Sequence, residues 1–585
     1  MTTDETAVGP EPAPISMTAV AAAIVSLLVI VAVFALPPLR NVDWAWQLEI
    51  GERILTTKSI PTDDIFCWST AGKYDPHPRI YFGWCVLLAV WHSCFGLQGL
   101  VVLRYLLIAA LACSTCLFLI RRRVTAPLAV FLPVVAISAI HGRLMLRPHI
   151  ISFIAIVLLV WILVENRTRR DSRLLMWVPP LFVAWANFHS GCILALLMFG
   201  VVIFGEWLHA RFDAGHEDRM SNDHPKYLLY LVITWMAAAG AICLTPAGWD
   251  RYTFIFDHRA MVKVMSIIEL RPLQWQTADD RHLVVALLLL FFGTYSRQSF
   301  RYIGMWFGLA FYLFFMVRGV RFHPYPFLLL LMITHIDGVP QQAGAGLQRW
   351  RRLLAFIGLG VMACQAGLVE ATRPHPLVSP GSSDPAAVVF ITQKEIPEPL
   401  YNTQNFGGYI THVSAGRVKT YRDGRQTLFR DYAGLSWDEL YREFGFKTLI
   451  VATHERLSVD TIPADRDWAL VYFSDYARVY VDTRDPLGAQ VAADHQYDHV
   501  WFERRNATDG AEYLAIGIDE RSPEAVIDEL KRLEGVAAAA YFTNLGLAKA
   551  YLAAGDNVRA AAMARAALGK GFTEEALAVL DAASR

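Results

Sequence analysis

The stretch MTAVAAAIVSLLVIVAVFALPPLRNVDWAWQL, residues 17–48, decides the class of the fold. Residues 17–36 form an apolar run, and an α-helix of about 20 such residues crosses the hydrocarbon core of a bilayer. No basic segment precedes the run and no small-residue cleavage site stands out, so we expect an uncleaved first span after a cytoplasmic tail, residues 1–16. The chain then leaves the membrane and meets a carboxylate, Asp43, next to two tryptophans.

The composition supports lipid as the solvent for much of this chain. Of 585 residues, 55% are hydrophobic and 18% are charged, whereas soluble proteins average about 45–50% and about 25%. Lys plus Arg and Asp plus Glu each number 53, so no basic excess indicates a nucleic-acid partner.

Further apolar stretches predict an α-helical polytopic membrane domain, residues 17–370, with about 11 spans in all. These stretches lie near residues 100–120, 126–140, 149–164, 174–188, 192–208, 227–244, 281–295, 302–317, 323–336 and 353–369.

The topology depends on residues 81–97. If this segment crosses the membrane, the basic loops at 121–123 and 167–173 face outward, against the positive-inside rule. We therefore favour an interfacial helix for it. One extracytoplasmic face then collects the loops 38–99, 141–149, 187–191, 245–280 and 318–322, together with the C-terminal region.

The first outer loop, 38–99, carries candidate catalytic and binding residues. Asp43 is a candidate general base at the membrane surface, with Trp44, Trp46 and Asp64 as substrate contacts. The alternative is an aromatic belt with a solvated aspartate, in which Asp64 only caps a short helix. Asp43, Asp63 and Asp64 also offer oxygen ligands to a divalent cation, Mg²⁺ or Mn²⁺, although their spacing is not diagnostic.

Two further outer loops carry arginines. Arg143 and Arg147, with His149 beside them, are candidates for clamping a phosphate or pyrophosphate. Arg318 and Arg321 repeat the pattern at another span end. Snorkelling to lipid headgroups is the alternative for these side chains.

Asn187 and His189 lie at the same depth between two spans. His189 is a candidate acid/base group or ligand of substrate hydroxyls, and Asn187 a candidate substrate contact. A helix-capping histidine is the alternative.

The order of these pieces resembles bacterial membrane glycosyltransferases of the GT-C superfamily, similar to protein mannosyltransferases and aminoarabinose transferases. The first-loop matches are Asp43, Trp44, Trp46, Leu48, Gly51, Ile54, Leu55, Ile60, Pro61, Asp64 and Phe66. Later matches are Arg147-Pro148-His149, Trp185 with Asn187 and His189, Pro246 with Gly248, and Arg318 before a span that contains proline. The chain departs from the pattern at Gln47, where a histidine is usual, and around residues 81–84.

This resemblance implies an inverting transfer of sugar from a polyprenyl-phosphate donor to an acceptor outside the cytoplasm. It places the chain in the inner membrane of a bacterium, with membrane lipids and the lipid-linked sugar as partners and Asp43 as the base. The departures keep two alternatives open. The first is a non-catalytic scaffold that docks partners, and the second is a polysaccharide polymerase or transporter.

The C-terminal part reads as an extracytoplasmic α/β domain, residues 385–522, after a proline-rich linker, residues 371–384. Strands are predicted at 387–392, 448–452, 470–473 and 477–481, and a helix at 437–444. Asp423 and Arg425, in a glycine-bearing loop, either form a turn or bind donor or acceptor. Residues 523–585 resemble a tetratricopeptide helix pair, which packs on this domain or on residues 526–533, or serves as a dock for a protein partner.

Overall fold

A computed structural model of the chain describes residues 16–36, 39, 41–169, 171–212, 224–254, 271–294, 297–336, 347–372, 384–432, 434–453, 467–506, 512–533, 541–568 and 573–585. Residues 1–15 of the predicted tail and 373–383 of the predicted linker lie outside the described residues. Contacts divide the chain into a membrane unit, residues 1–37 and 76–375, and a C-terminal unit, residues 38–75 and 376–585.

The described secondary structure is mainly helical. The α-helices are α1 (Met17–Ala35), α2 (Asp43–Thr57), α3 (His77–Ile80), α4 (Phe82–Arg121), α5 (Ala126–Ile140), α6 (His149–Arg169), α7 (Val178–Phe188), α8 (Gly191–Phe212), α9 (His224–Ile242), α10 (Ala278–Thr294), α11 (Ile303–Arg318), α12 (Pro324–Ile333), α13 (Leu347–Thr372), α14 (Pro385–Gln393), α15 (Gln404–Val413), α16 (Trp437–Phe444), α17 (Pro486–His495), α18 (Pro523–Lys531), α19 (Tyr541–Ala553), α20 (Asn557–Ala567) and α21 (Thr573–Ser584). The strands are β1 (Leu400–Asn402), β2 (Thr448–Ala452), β3 (Trp468–Phe473), β4 (Ala477–Asp482), β5 (Val500–Asn506) and β6 (Glu512–Ile518).

Seven helices within the described residues are long and apolar enough to cross a membrane. They are Met17–Ala35, Phe82–Arg121, Ala126–Arg143, His149–Arg169, Gly191–Arg211, Pro225–Ile242 and Arg352–Ala371. The chain is therefore a multi-pass membrane protein, and the predicted fold class is confirmed. The remaining four predicted spans form α7, α10, α11 and α12, which are 11, 17, 16 and 10 residues long. For α7 the cause is local, because a 3₁₀ segment, Ser172–Trp177, occupies the first part of the apolar run.

Helix α4 is broken near its first third. Gly96 has φ 63° and ψ −167°, a conformation outside the helical region that glycine adopts readily. Residues 82–95 are therefore a separate arm from residues 97–121. Whether that arm lies in the membrane interface stays a prediction.

The C-terminal unit contains a four-stranded sheet with the order β1-β2-β4-β3, in which β1 and β2 are parallel and the other pairs are antiparallel. Strands β5 and β6 form a separate antiparallel pair. The predicted strands at 448–452, 470–473 and 477–481 are confirmed, as is the helix at 437–444. The predicted strand at 387–392 is wrong, because this segment lies in α14. Asp384 caps α14 by accepting from the N–H groups of Ala386 and Ala387, and Pro385 is its first residue, so the start signal outweighs the β-branched run.

The terminal helices share one hydrophobic core with the sheet. Buried residues of α18 and α19 cluster with Phe502 and Ile516 of the β5-β6 pair. Gly546 of α19 packs closely there, because a Cβ at this position would lie 2.9 Å from Leu530 Cδ1 and 3.1 Å from Ile516 Cδ1. The predicted boundary at residue 522 therefore does not separate two cores, and the apolar face of the helix pair is covered by the chain itself.

The first outer loop differs from expectation, because residues 38–75 belong with the C-terminal unit and not with the membrane unit. Residues 66–68 run beside Thr420: the Trp68 N–H donates to the Thr420 carbonyl at 3.0 Å, and the Thr420 N–H donates to the Phe66 carbonyl at 3.2 Å. The Trp68 indole N–H donates to the Leu400 carbonyl at 3.1 Å. The loop is thus built into the fold of a domain that follows hundreds of residues later.

A buried ion cluster holds this loop in place. The Arg425 guanidinium contacts Asp64 at 2.9 Å, Asp75 at 2.7 Å and Asp423 at 2.7 Å, and all four side chains are at most 1% exposed. Burial alone would lower the pKa of Arg425, but the three carboxylates raise it well above its usual value. Arg425 therefore stays charged, and two of its three partners come from the loop.

We predict that Arg425→Gln releases the loop, because it leaves three buried carboxylates without their cation. Breaking a buried ion network of this kind costs about 3–5 kcal/mol. Cys67 reports the opening, since it is 1% exposed and burial, followed by the nearby Asp423, raises the pKa of its thiol well above the usual value. Maleimide labelling of the Cys67 peptide, followed by mass spectrometry, should accelerate by about 100-fold or more.

The matched control is Arg417→Gln, which removes an exposed cation of the same unit. Equal labelling rates in Arg425→Gln and in the unsubstituted protein would contradict the role of the cluster.

Candidate functional site

Asp43 is the first residue of α2 and is half-buried. Its Oδ1 accepts from the Trp46 indole N–H at 3.4 Å, and its backbone N–H donates to Asn41 Oδ1 at 3.0 Å. A carboxylate in the first turn of a helix is also favoured by the positive end of the helix dipole. The carboxylate is therefore in contact with its own helix through Trp46.

Two glycines of the C-terminal unit, Gly408 and Gly424, pack against this helix start, and a third, Gly407, packs against the loop that carries Gly424. A Cβ at Gly424 would collide with Asp43 Oδ1, and a Cβ at Gly408 would lie 3.2 Å from both the Val42 carbonyl oxygen and Trp46 Cδ1. A Cβ at Gly407 would collide with the Arg422 carbonyl oxygen. The sequence analysis gave Asp423 and Arg425 a glycine-bearing loop, and in the structure Gly408 and Gly424 allow a close backbone approach to Asp43 and its neighbours.

The two tryptophans are interior side chains and do not form a surface belt. Trp44 is fully buried and meets the rings of Tyr409 and His412 edge-on, at centroid distances of 6.2 and 5.4 Å. Trp46 is 3% exposed. Next to them, His412 Nδ1 lies 2.8 Å from Glu49 Oε1, a pair between α15 and α2 that the sequence did not reveal. Both tryptophans are therefore covered by the protein itself in this arrangement, which does not favour direct contact with a substrate.

Asp64 points into the protein. Besides Arg425, it accepts from the backbone N–H groups of Phe66 and Cys67 and from the Thr70 hydroxyl. This placement favours a structural role over substrate contact, although Asp64 does not cap the 3₁₀ turn Trp68–Thr70, whose N-cap is Cys67 with no side-chain hydrogen bond. The neighbouring Asp63 is exposed.

These placements also bear on a divalent cation. Within the part of the chain that the structure describes, no group of three or more His, Cys, Asp or Glu side chains is arranged to hold a metal ion. Asp64 is committed to Arg425 and Thr70, so Asp43, Asp63 and Asp64 do not fit a Mg²⁺ or Mn²⁺ site together.

In the membrane unit, His189 belongs to a chain of hydrogen bonds. The Trp185 indole N–H donates to Ser152 Oγ at 2.7 Å, and Ser152 Oγ lies 2.6 Å from His189 Nδ1. The Gly191 N–H donates to the same Nδ1 at 3.1 Å. Nδ1 is thus the acceptor, which assigns the ring proton to Nε2. His189 presents a donor at Nε2, and the ring stacks on Tyr81 at 6.4 Å.

His149 gathers the arginines of the second outer loop. Its Nε2 lies 2.5 Å from the Arg143 carbonyl oxygen, so the Nε2–H group donates a hydrogen bond to that oxygen. The centroids of the His149 and His189 rings lie 6.3 Å apart. The charges of Arg143 and Arg147 act on His149, and those of Arg143 and Arg321 act on Tyr325. The structure therefore brings these three arginines and two histidines to one region of the membrane unit.

Asn187 and Arg318 each contact their own helix. Asn187 Nδ2 donates to the Val183 carbonyl of its own helix at 2.9 Å. Arg318 is exposed and lies over the Phe314 ring at 5.1 Å, one turn back along α11. Neither contact indicates a ligand.

Two residues of this region escaped the sequence interpretation. Ser152 lies three residues after His149, on the same face of α6, which is the one signal that could have found it. Arg251 is fully buried, and its guanidinium donates to Ser190 Oγ at 3.3 Å and to the Ile80 carbonyl at 2.5 Å. Arg251 thereby ties the end of α3 to the turn that carries His189.

Comparisons with known proteins find likenesses among solved structures. No protein-family model matches the sequence, and no curated protein matches it. Among solved structures, the chain is similar to the arabinofuranosyltransferase AftD from mycobacteria, with 15% identity and a TM-score of 0.42. The likeness covers 89% of this chain and 43% of that chain, so this chain spans less than half of the solved one. At this level the likeness does not by itself assign an activity.

We predict that Gly424→Ala displaces the Asp43 carboxylate, because the added methyl group would occupy the position of Oδ1. Overpacking of this kind costs about 1–3 kcal/mol. Hydrogen–deuterium exchange of the amides at residues 43–48 should therefore rise. Gly240→Ala is the matched control, since a Cβ there meets nothing within 4 Å. Unchanged exchange in Gly424→Ala would show that the carboxylate does not depend on this contact.

Proposed function

We propose that the chain is a glycosyltransferase that moves a sugar from a polyprenyl-phosphate donor to an acceptor hydroxyl, outside the cytoplasm at the inner membrane of a bacterium. The observation that carries the proposal is the Asp43 carboxylate, half-buried, bonded to Trp46 and packed against Gly424. A half-buried carboxylate that follows a membrane span in the sequence suits a general base that serves a lipid-bound substrate.

In the proposed reaction Asp43 removes the proton from the acceptor hydroxyl. The acceptor oxygen forms a bond to the anomeric carbon as the bond from that carbon to the donor phosphate breaks, which inverts the anomeric centre. The polyprenyl phosphate leaves as an anion. This step requires a base next to the acceptor hydroxyl and a cationic group next to the leaving phosphate.

The cations of the membrane unit suit the leaving phosphate. Arg143, Arg147 and Arg321 share a region with the Nε2–H donor of His189. Forked guanidinium groups and a neutral imidazole donor bind phosphate oxygens through charge-assisted hydrogen bonds. In this proposal His189 donates a hydrogen bond and does not act as the base, because its Nδ1 is already an acceptor for Ser152 and Gly191.

A structural role for Asp43, as an acidic residue that stabilises the start of α2, is the competing explanation. The two explanations predict different effects on activity when the Asp43 carboxylate is replaced by the amide of asparagine. Asparagine has nearly the same shape and still accepts the Trp46 hydrogen bond, but it cannot take up a proton at neutral pH.

We therefore expect Asp43→Asn to lose about 10²–10⁴-fold in donor consumption while its thermal unfolding stays close to that of the unsubstituted protein. The measurement is the release of polyprenyl phosphate from a panel of labelled polyprenyl-phosphate sugars, with an extract of cell-envelope glycans as acceptor. Asp63→Asn, which changes an exposed carboxylate of the same loop, should keep full activity. Full turnover in Asp43→Asn would refute the base.

Arg147→Gln should weaken donor binding by about tenfold or more, since one charge-assisted contact to phosphate is lost. Arg281→Gln is the matched control, because Arg281 is exposed and its guanidinium donates to the Trp275 and Gln276 carbonyls. If the unsubstituted protein neither binds nor consumes any donor of the panel, a non-catalytic scaffold replaces the transferase.

A further inference from the structure

A cavity of about 540 Å³ opens in the membrane unit where the last turns of α6 face α7 and the 3₁₀ segment Ser172–Trp177. Its size lies in the range of small-molecule sites, about 300–1,000 Å³. The walls are apolar and include Leu158, Trp161 and Ile162 of α6 and Leu181 of α7. None of these residues belongs to the candidate site described above.

Cations gather at the rim of this cavity around a single carboxylate. Glu165 lies 3.1 Å from Arg121 Nε, 3.3 Å from Arg122 Nη2 and 2.5 Å from Arg169 Nε. Three guanidinium groups against one carboxylate leave a formal excess of two positive charges. Glu165 is 8% exposed, whereas Arg121 and Arg169 are 50% and 52% exposed, so their donors remain accessible from outside.

Apolar walls beneath a cationic rim match a molecule with an anionic head and a hydrocarbon tail. A free anion would gain nothing from the walls, and a neutral hydrocarbon would gain nothing from the arginines. The rim also lies at the end of a helix long enough to cross the membrane, His149–Arg169, which is the level of the lipid headgroups.

We propose that this cavity is a binding site for one anionic phospholipid, with an acyl chain against Leu158, Ile162 and Leu181 and the phosphate on Arg121 and Arg169. The site is independent of the proposed transfer reaction. It binds a membrane lipid at the basic end of α6, and it uses none of the residues assigned to the donor.

The test is native mass spectrometry of the purified full-length protein after addition of phosphatidylglycerol, with phosphatidylcholine of the same acyl chains and glycerol phosphate as comparison probes. We expect phosphatidylglycerol to be retained about tenfold or more above phosphatidylcholine. Glycerol phosphate, which has the head without the tail, should not compete. Equal retention of phosphatidylcholine, or full competition by glycerol phosphate, would overturn the proposal.

Two variants test the two halves of the site separately. The double variant Arg121→Gln, Arg169→Gln removes the accessible cations and leaves Arg122 beside Glu165, while Leu181→Trp fills the cavity without changing charge. Each should lower phosphatidylglycerol retention by about tenfold or more. Arg173→Gln, which removes an exposed cation that does not line the cavity, should leave retention unchanged. Size-exclusion profiles identify a misfolded variant, in which case the other variant tests the site. Unchanged phosphatidylglycerol retention in a folded variant refutes the site.

Discussion

The contact between Arg425 and the three carboxylates is the constraint on which the arrangement around Asp43 depends. Asp64 and Asp75 lie in the first outer loop, whereas Asp423 and Arg425 lie beyond the last membrane span. Charges buried this deeply are stable only when they stay together, so the loop cannot leave the C-terminal unit without exposing or stranding them. The same loop carries α2, and the position of its first carboxylate therefore follows from this ion cluster.

Local signals predicted much of the fold. Among the described residues, apolar runs of spanning length correspond to seven helices long enough to cross a membrane, and the helix predicted at 437–444 is confirmed, with Ser436 and Gly445 as its caps. Where a local signal was read by residue type alone, it failed: Val388, Val389 and Ile391 favour a strand, but the Asp-Pro pair before them starts a helix. The apolar run at residues 174–188 also predicted too long an α-helix, because its first residues form a 3₁₀ segment.

The candidate site was predictable as a set of residues but not as a set of contacts. Asp43, Arg143, Arg147 and His189 stood out because charged side chains near a membrane need a reason. The partners that orient them, Ser152 for His189 and Gly424 for Asp43, are ordinary residues whose role depends on tertiary contacts. Asp64 is the opposite case, because its neighbours in the sequence suggested that it contacts a substrate. Its partner, Arg425, is 361 positions later in the chain, and their ion pair gives Asp64 a structural role.

The distance along the chain between the loop and its partners sets an order for biosynthesis. Asp75 and Arg425 are 350 positions apart, and a ribosome needs on the order of tens of seconds to add that many residues. Throughout that interval the nascent loop carries its tryptophans and carboxylates without the surface that covers them. A chain that stops before residue 384 would keep them uncovered for good, and protein quality control could recognise the truncated product by that loop.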